Sequence, residues 1–238
     1  MHRQSIVTAS LPTDNQKCGR PALGDHEISP LYPPMPASAR ILIIFVHPVR
    51  HKSRLNVKLA AAAQTIEEVT FHDLYEAYPD FYIDVAAEQA RLREHDIIVF
   101  QHPFYWYSCP SLLKEWLDVV LQRGWAYGAG EHRLRGKHLL TTVTTGGPES
   151  SYDRDARNRF SMRDFLAPFD QTAHLCGMTY LPPFVVYGCT NKKETDIDRH
   201  AENYRKILQA LAARKIDLDH IASWPRINGN MEALNLSR

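Results

Sequence analysis

Six consecutive apolar residues, Ile41-Leu-Ile-Ile-Phe-Val46, constrain this chain more than any other segment. A continuous β-branched run of this length reads as a strand buried on both faces, as in parallel sheets covered by helices. The rest of the chain repeats the theme. Strand-like runs over Glu68 to Leu74, Ile97 to Gln101, His138 to Thr144 and Phe184 to Tyr187 alternate with helix-like segments. Those segments are Leu55 to Gln64, Asp84 to Arg93, Ser111 to Arg123, Met162 to Cys176 and Glu194 to Ala213. In the third, Leu112, Leu113, Trp116, Leu117, Val120 and Leu121 recur at helical spacing. Gly177 stands where a helix would end in a left-handed C′ residue. Five strands alternating with five helices predict an α/β fold, a doubly wound parallel sheet in strand order 2-1-3-4-5 with helices on both faces.

The predicted domain runs from residue 40 to 213. Residues 1–39 lack periodicity, and Ser29-Pro-Leu-Tyr-Pro-Pro-Met-Pro suits neither helix nor central strand, so they read as a flexible N-terminal extension. Residues 214–238 read as a weakly patterned tail in which Trp224 is a candidate for docking. A formal net charge of +1 gives no argument for nucleic acid or an acidic membrane surface. No apolar run is long enough to span a bilayer, and no h-region follows Met1, so the expected compartment is the cytoplasm. Cys18, Cys109, Cys176 and Cys189 form no Cys-x-x-Cys pair, and none of the twelve histidines belongs to a His-Glu-x-x-His motif. No metal site is therefore expected. His174 reads as a core histidine, and Cys109 as a packing residue before a redox one.

Three loops follow predicted strands 1, 3 and 4, at the sheet edge where this architecture binds ligands. The first is His47-Pro-Val-Arg-His-Lys-Ser-Arg-Leu-Asn56, which ends at a helix N-terminus. His47, Ser53 and Asn56 are candidates to hold a phosphate there; equally, Ser53 serves as a plain N-cap and the cations form a solvated loop. The loop is neither a Walker A nor a Gly-x-Gly-x-x-Gly sequence, which disfavours a nucleoside triphosphate or a Rossmann-bound dinucleotide. The second loop carries Phe104, Tyr105, Trp106 and Tyr107, more aromatic surface than a short connection needs. A planar flavin would use such cover, and a rigid aromatic turn is the competing reading. The third, Thr144-Thr-Gly-Gly147 and on to Tyr152, offers glycine backbone close to a ligand. The N–H groups of Gly146 and Gly147 would face the electron-rich edge of a flavin, and a valine at Gly147 is expected to block it. Tyr152 would orient a substrate carbonyl or simply cap the loop, and a tight Gly-Gly-Pro turn is the competing reading of the glycines.

At these loops the sequence resembles the flavodoxin-like NAD(P)H:quinone oxidoreductases, and most closely the ancillary flavoproteins of glutathione-regulated Kef-type potassium-efflux systems. The resemblance rests on Ile41 to Pro48, Ser53 to Asn56, Tyr75 to Phe81, Phe100 to Ser108, Leu113 to Asp118, Gly124 to Gly128, Thr144 to Gly147, Ala173 to Gly177 and Leu181 to Phe184. It implies FMN, with FAD as the alternative, held by His47, Ser53 to Asn56, Phe104 to Tyr107 and Thr144 to Gly147. It also implies NAD(P)H as co-substrate, a quinone-like acceptor and two-electron ping-pong hydride transfer. A homodimer is implied, whose partner subunit would complete the pocket near Trp106 and Tyr152. One departure stands out. Mammalian quinone reductases of the family carry a Tyr and a His after strand 4; here Tyr152 matches, but Asn158 stands at the His position. The Kef resemblance adds a second reading, a regulatory subunit docked on the cytoplasmic domain of a potassium/proton antiporter at the inner membrane. A one-electron flavodoxin-type carrier is a third, disfavoured because such carriers are strongly acidic.

Overall fold

The computed structural model describes residues 38–236. Strand β1 (Ile41–Phe45) lies inside a parallel sheet, paired with β2 (Val69–Asp73) and β3 (Ile97–Pro103). Strand β3 pairs in turn with β4 (His138–Thr144), and β4 with β5 (Thr179–Tyr180), giving the order β2-β1-β3-β4-β5. The expected fold class and strand order are both present.

Side-chain alternation divides β1 between two cores. Ile41, Ile43 and Phe45 pack with α1 (Arg54–Ala63) and α6 (Glu194–Ala212) on one face. Leu42, Ile44 and Val46 pack on the other face with α3 (Val85–Glu94), α4 (Ser111–Val120) and α5 (Met162–Leu175). Both sides of the strand are removed from water, which is why its sequence carries no polar alternation. Helix starts follow local chemistry: Ser53 caps α1, Asp84 caps α3, and Ser161 with Asp164 forms a capping box on α5. At the end of α5, Gly177 (φ +72°) and Met178 return their N–H groups to His174 and Ala173, closing the helix with a left-handed residue.

Several details differ from expectation. The fifth sheet position is shared by two short strands, β5 (Thr179–Tyr180) on His138–Leu139 and β6 (Phe184–Val186) on Thr142–Thr144. Between them lie Pro182 and Pro183, which have no N–H to give the ladder. A one-turn helix, α2 (Leu74–Ala77), follows β2 directly, capped by Asp73. Helix α4 stops at Val120 rather than Arg123, because Leu121 already leaves the helical region at φ −83°, ψ 65°. His174 faces solvent rather than the core. The segment after α6 packs on the sheet: α7 (Leu218–Ile221) buries Ile221, the following turn buries Ile227, and Trp224 rests against the same core. Among the described residues no helix is long and apolar enough to cross a membrane, and no cluster of His, Cys, Asp and Glu could hold a metal ion.

A buried histidine gives the fold a proton-linked stability. His102, in β3, is fully buried against the Phe169 ring, 5.7 Å away. Its Nδ1–H donates to the Pro103 carbonyl at 3.0 Å, and Nε2 has no partner among the described residues. Burial pushes its pKa down to about 4. The unfolded chain binds a proton near pH 6.5 that the folded chain refuses, so stability falls as pH drops from about 6.5 to 4, by roughly 3 kcal/mol from this residue. Urea unfolding of wild type and His102→Asn at pH 7 and 4.5 should show a visibly shallower pH dependence in the variant. Equal slopes would refute the assignment.

Candidate active site

The loops after β1, β3 and β4 meet at the carboxyl edge of the sheet, as expected. They line two adjoining clefts of about 480 and 580 Å³ that share Phe104, Tyr105 and Gly146. Both volumes are in the range of small-molecule and cofactor sites.

The first cleft is bounded by His47, Ser53, Arg54, Leu55 and Asn56, with Thr144, Thr145 and Gly146 opposite. His47 is buried against Phe45, and burial pushes its pKa down. Its Nδ1 accepts the Val49 N–H at 3.2 Å, so the neutral ring carries its proton on Nε2. Ser53 Oγ accepts the Asn56 N–H at 3.3 Å, which is the N-cap role; its own O–H stays available for a ligand. The Arg54 guanidinium turns away to Glu194, 2.7 Å distant. Arg54 therefore offers the cleft its backbone N–H. That group and the Leu55 N–H have no acceptor among the described residues and point out of the first turn of α1.

A polar chain beneath the cleft fixes this geometry. Asn56 Nδ2 donates to Thr144 Oγ1 at 2.8 Å, and Gln101 Nε2 donates to the Asn56 carbonyl at 3.0 Å. Tyr204 of α6 donates to Gln101 Oε1 at 3.2 Å. The start of α1 is thus tied to β3, β4 and α6. Asn56 Oδ1 is left buried with no donor among the described residues, although Asn56 lines the cleft. An unsatisfied buried acceptor costs free energy until a donor reaches it, and a ligand hydroxyl would do so.

The second cleft is walled by aromatics. Trp106 and Tyr107 both have positive φ (51° and 61°), a strained pair for non-glycine residues. Trp106 is thrown outward, 93% exposed. Phe104 turns inward, its ring 5.5 Å from Phe165 of α5, while Tyr107 stacks on the same Phe165 at 5.3 Å. Tyr152 lies 6.0 Å from Phe104 and 5.3 Å from Tyr187. So the four-residue aromatic loop divides: Phe104 and Tyr107 build a wall on Phe165, Tyr105 lines both clefts with its ring 6.2 Å from His47, and Trp106 alone of the four faces out. Gly146 and Gly147 have N–H groups without acceptors among the described residues. A Cβ on Gly147 would meet the Tyr152 ring at 3.4 Å, so a valine there displaces Tyr152 first. Asn158 and Arg157 line the cleft beside Tyr152. Cys109, by contrast, is pushed up in pKa by burial, which suits packing rather than thiolate chemistry.

Sequence reasoning missed a fourth loop, Gly188 to Thr190 after β6. Cys189 and Thr190 line the first cleft. The Gly188 N–H donates to the Gly147 carbonyl, and the Cys189 N–H to the Thr145 carbonyl, each at 2.8 Å. Gly188, at φ +67°, permits the turn that brings them there. The signal was available: a glycine follows an apolar strand, as Gly146 and Gly147 follow β4.

Fold and site together define a flavodoxin-like protein. The chain belongs to that family, whose flavodoxin-like fold matches residues 39–208. The glutathione-regulated potassium-efflux system ancillary protein KefG of Salmonella paratyphi B (strain ATCC BAA-1250 / SPB7) is 50% identical over 170 residues, 71% of this chain and 93% of that protein. The general stress protein 14 of Treponema denticola, solved in complex with FMN, is 38% identical with a TM-score of 0.69 over 72% of this chain and 99% of its own. The NADPH-quinone reductase of P. pentosaceus is 30% identical with a TM-score of 0.65, over 71% and 97%.

Proposed function

We propose that the protein is an FMN-dependent NAD(P)H oxidoreductase that reduces quinones or similar acceptors by two-electron ping-pong hydride transfer. One observation carries this reading. Two contiguous clefts share a floor, the first rich in unengaged N–H donors and the second walled by aromatic rings. The residues present fit FMN: the N–H groups of Arg54 and Leu55, with His47 Nε2 and Ser53 Oγ, suit its phosphate, and the orphaned Asn56 Oδ1 suits a ribityl hydroxyl. Phe104 to Tyr107 and Thr144 to Gly147 would border its ring. When bound, FMN supplies the hydride acceptor and donor.

The chain's own residues do the rest. The Gly146 and Gly147 N–H groups present fixed donors where negative charge develops, and need no reorganisation to do so. Tyr152 has a hydroxyl without a partner among the described residues, suited to orient an acceptor carbonyl. Asn158 can hydrogen-bond but cannot titrate, so the proton comes from Tyr152 or water. A homodimer would cover the exposed Trp106 and complete the second cleft.

The KefG similarity favours a second role in the same protein: docking on the cytoplasmic domain of a potassium/proton antiporter, with a cytoplasmic location peripheral to the inner membrane. Retention of the chain on that immobilised domain tests it.

The test of the main reading is spectroscopic. Purified protein should show a flavin band near ~450 nm that bleaches when NADPH is added without oxygen. A colourless protein that takes up no added FMN would overturn the oxidoreductase reading and leave the docking role.

A further inference from the structure

Beyond the family match, which ends at residue 208, the chain returns to the site. The stretch Arg226 to Asn228 runs along the outer edge of β6. The Ile227 N–H donates to the Pro183 carbonyl at 3.0 Å, and the Ile227 side chain is buried. The Asn228 amide takes both outward groups of Val185: it accepts that residue's N–H at 3.0 Å and donates to its carbonyl at 2.9 Å. An edge strand that would stand open is thereby closed by one side chain.

This attachment aims Arg226 at the second cleft. Its guanidinium lies 5.6 Å from the Tyr187 ring centre and pairs with Glu149 at the start of the loop carrying Tyr152. Tyr187 packs on Tyr152, and Tyr152 lines the cleft. Gly229 makes room for the arginine stem, since a Cβ there would come within 3.2 Å of Arg226 Cγ. One arginine therefore reaches the loop that borders the acceptor pocket by two routes, directly at Glu149 and through Tyr187 at Tyr152. The ion pair is largely solvent-facing on the Glu149 side, and such pairs add little to global stability. Its effect is local: it holds a loop otherwise carried by short turns.

We propose that the C-terminal segment is a built-in clamp for the acceptor cleft, with Arg226 as the positioning residue that holds Glu149 and Tyr187 and, through them, Tyr152. The acceptor part of this inference rests on the oxidoreductase reading; the clamp itself does not. The experiment compares wild type, Arg226→Ala, Arg226→Lys and Glu149→Gln as full chains loaded with FMN. Amide exchange of residues 149–153 should quicken about tenfold in Arg226→Ala, as expected when a local closing contact is lost, and less, about threefold, in Glu149→Gln, whose amide oxygen still accepts from the arginine. FMN retention and thermal midpoint should stay at wild-type values. With menadione as acceptor, KM should rise about fivefold while kcat changes less than about twofold, with Arg226→Lys intermediate because it keeps the ion pair but not the planar stack. Glu149→Gln removes the charge of the ion pair without touching the C-terminal segment, so the test survives if an Arg226 variant folds poorly. Unchanged exchange in folded Arg226→Ala and Glu149→Gln would overturn the clamp. A wild-type chain that turns over no quinone would sink the oxidoreductase reading, and exchange would still decide the clamp.

Discussion

Replacing Glu88 with alanine should destabilise the protein by about 3–5 kcal/mol, the usual cost of leaving a buried charge network without its central partner. Glu88 is fully buried on α3. Its Oε1 accepts from His72 Nε2 at 2.9 Å, Tyr78 at 2.7 Å and Arg91 at 2.8 Å, and its Oε2 accepts from Trp116 Nε1 at 2.9 Å. One carboxylate therefore joins β2, the loop after α2, α3 and α4. Burial pushes its pKa up, but the donors, His72 first, outweigh burial and leave it below the usual range. The sign follows: the carboxylate stabilises the fold above the unfolded-chain pKa, and that contribution is lost as pH falls through the lower folded value. Alanine leaves three buried donors facing a cavity. Glutamine is milder, because its oxygen can take the place of Oε1 and only the Trp116 bond is lost, at about 1–3 kcal/mol. Urea unfolding at pH 7 measures both. An alanine variant within about 1 kcal/mol of wild type would show that the network is dispensable.

Glu88 also marks a limit of reading the sequence. The strands were legible because double-sided burial writes itself as unbroken apolar runs, as in Ile41 to Val46. The ligand edge was legible because topology alone places the loops after β1, β3 and β4 together. A glutamate in a weakly amphipathic helix reads as a solvated face; only the fold brings His72, Tyr78 and Trp116 to it. The divided fifth strand depends on two prolines whose neighbours still pair with β4, a tertiary fact. His174 looked like core because its helix is apolar, yet it falls on the outward face. The aromatic wall was half legible: Phe104 and Tyr107 stood out in one loop, while Phe165 and Tyr187, which complete it, are scattered along the chain. The C-terminal segment was weakly patterned because its attachment rests on one asparagine and two isoleucines rather than on periodicity.

The largest effect on function is expected from Gly146→Val. Gly146 lines both clefts where they join, and a Cβ there would sit 3.6 Å from Thr190 Oγ1, an ordinary contact. The backbone at Gly146 is not in the left-handed region, so a side chain brings no conformational strain and the fold should persist. Alanine should thus be tolerated. Valine adds two methyl groups at the junction, where a ring bridging the clefts must pass, and FMN affinity should fall at least about a hundredfold, or ~2.7 kcal/mol. Gly147→Val should behave differently. Its Cβ presses on Tyr152 rather than into the first cleft, so acceptor KM should rise more than FMN affinity falls. Titrating apoprotein with FMN and following quenching of flavin fluorescence separates the two variants. If Gly146→Val bound FMN like wild type while remaining folded, the cofactor would have to lie elsewhere than across the junction. The unengaged N–H groups of Gly146 and Gly147 would then need another ligand to explain them.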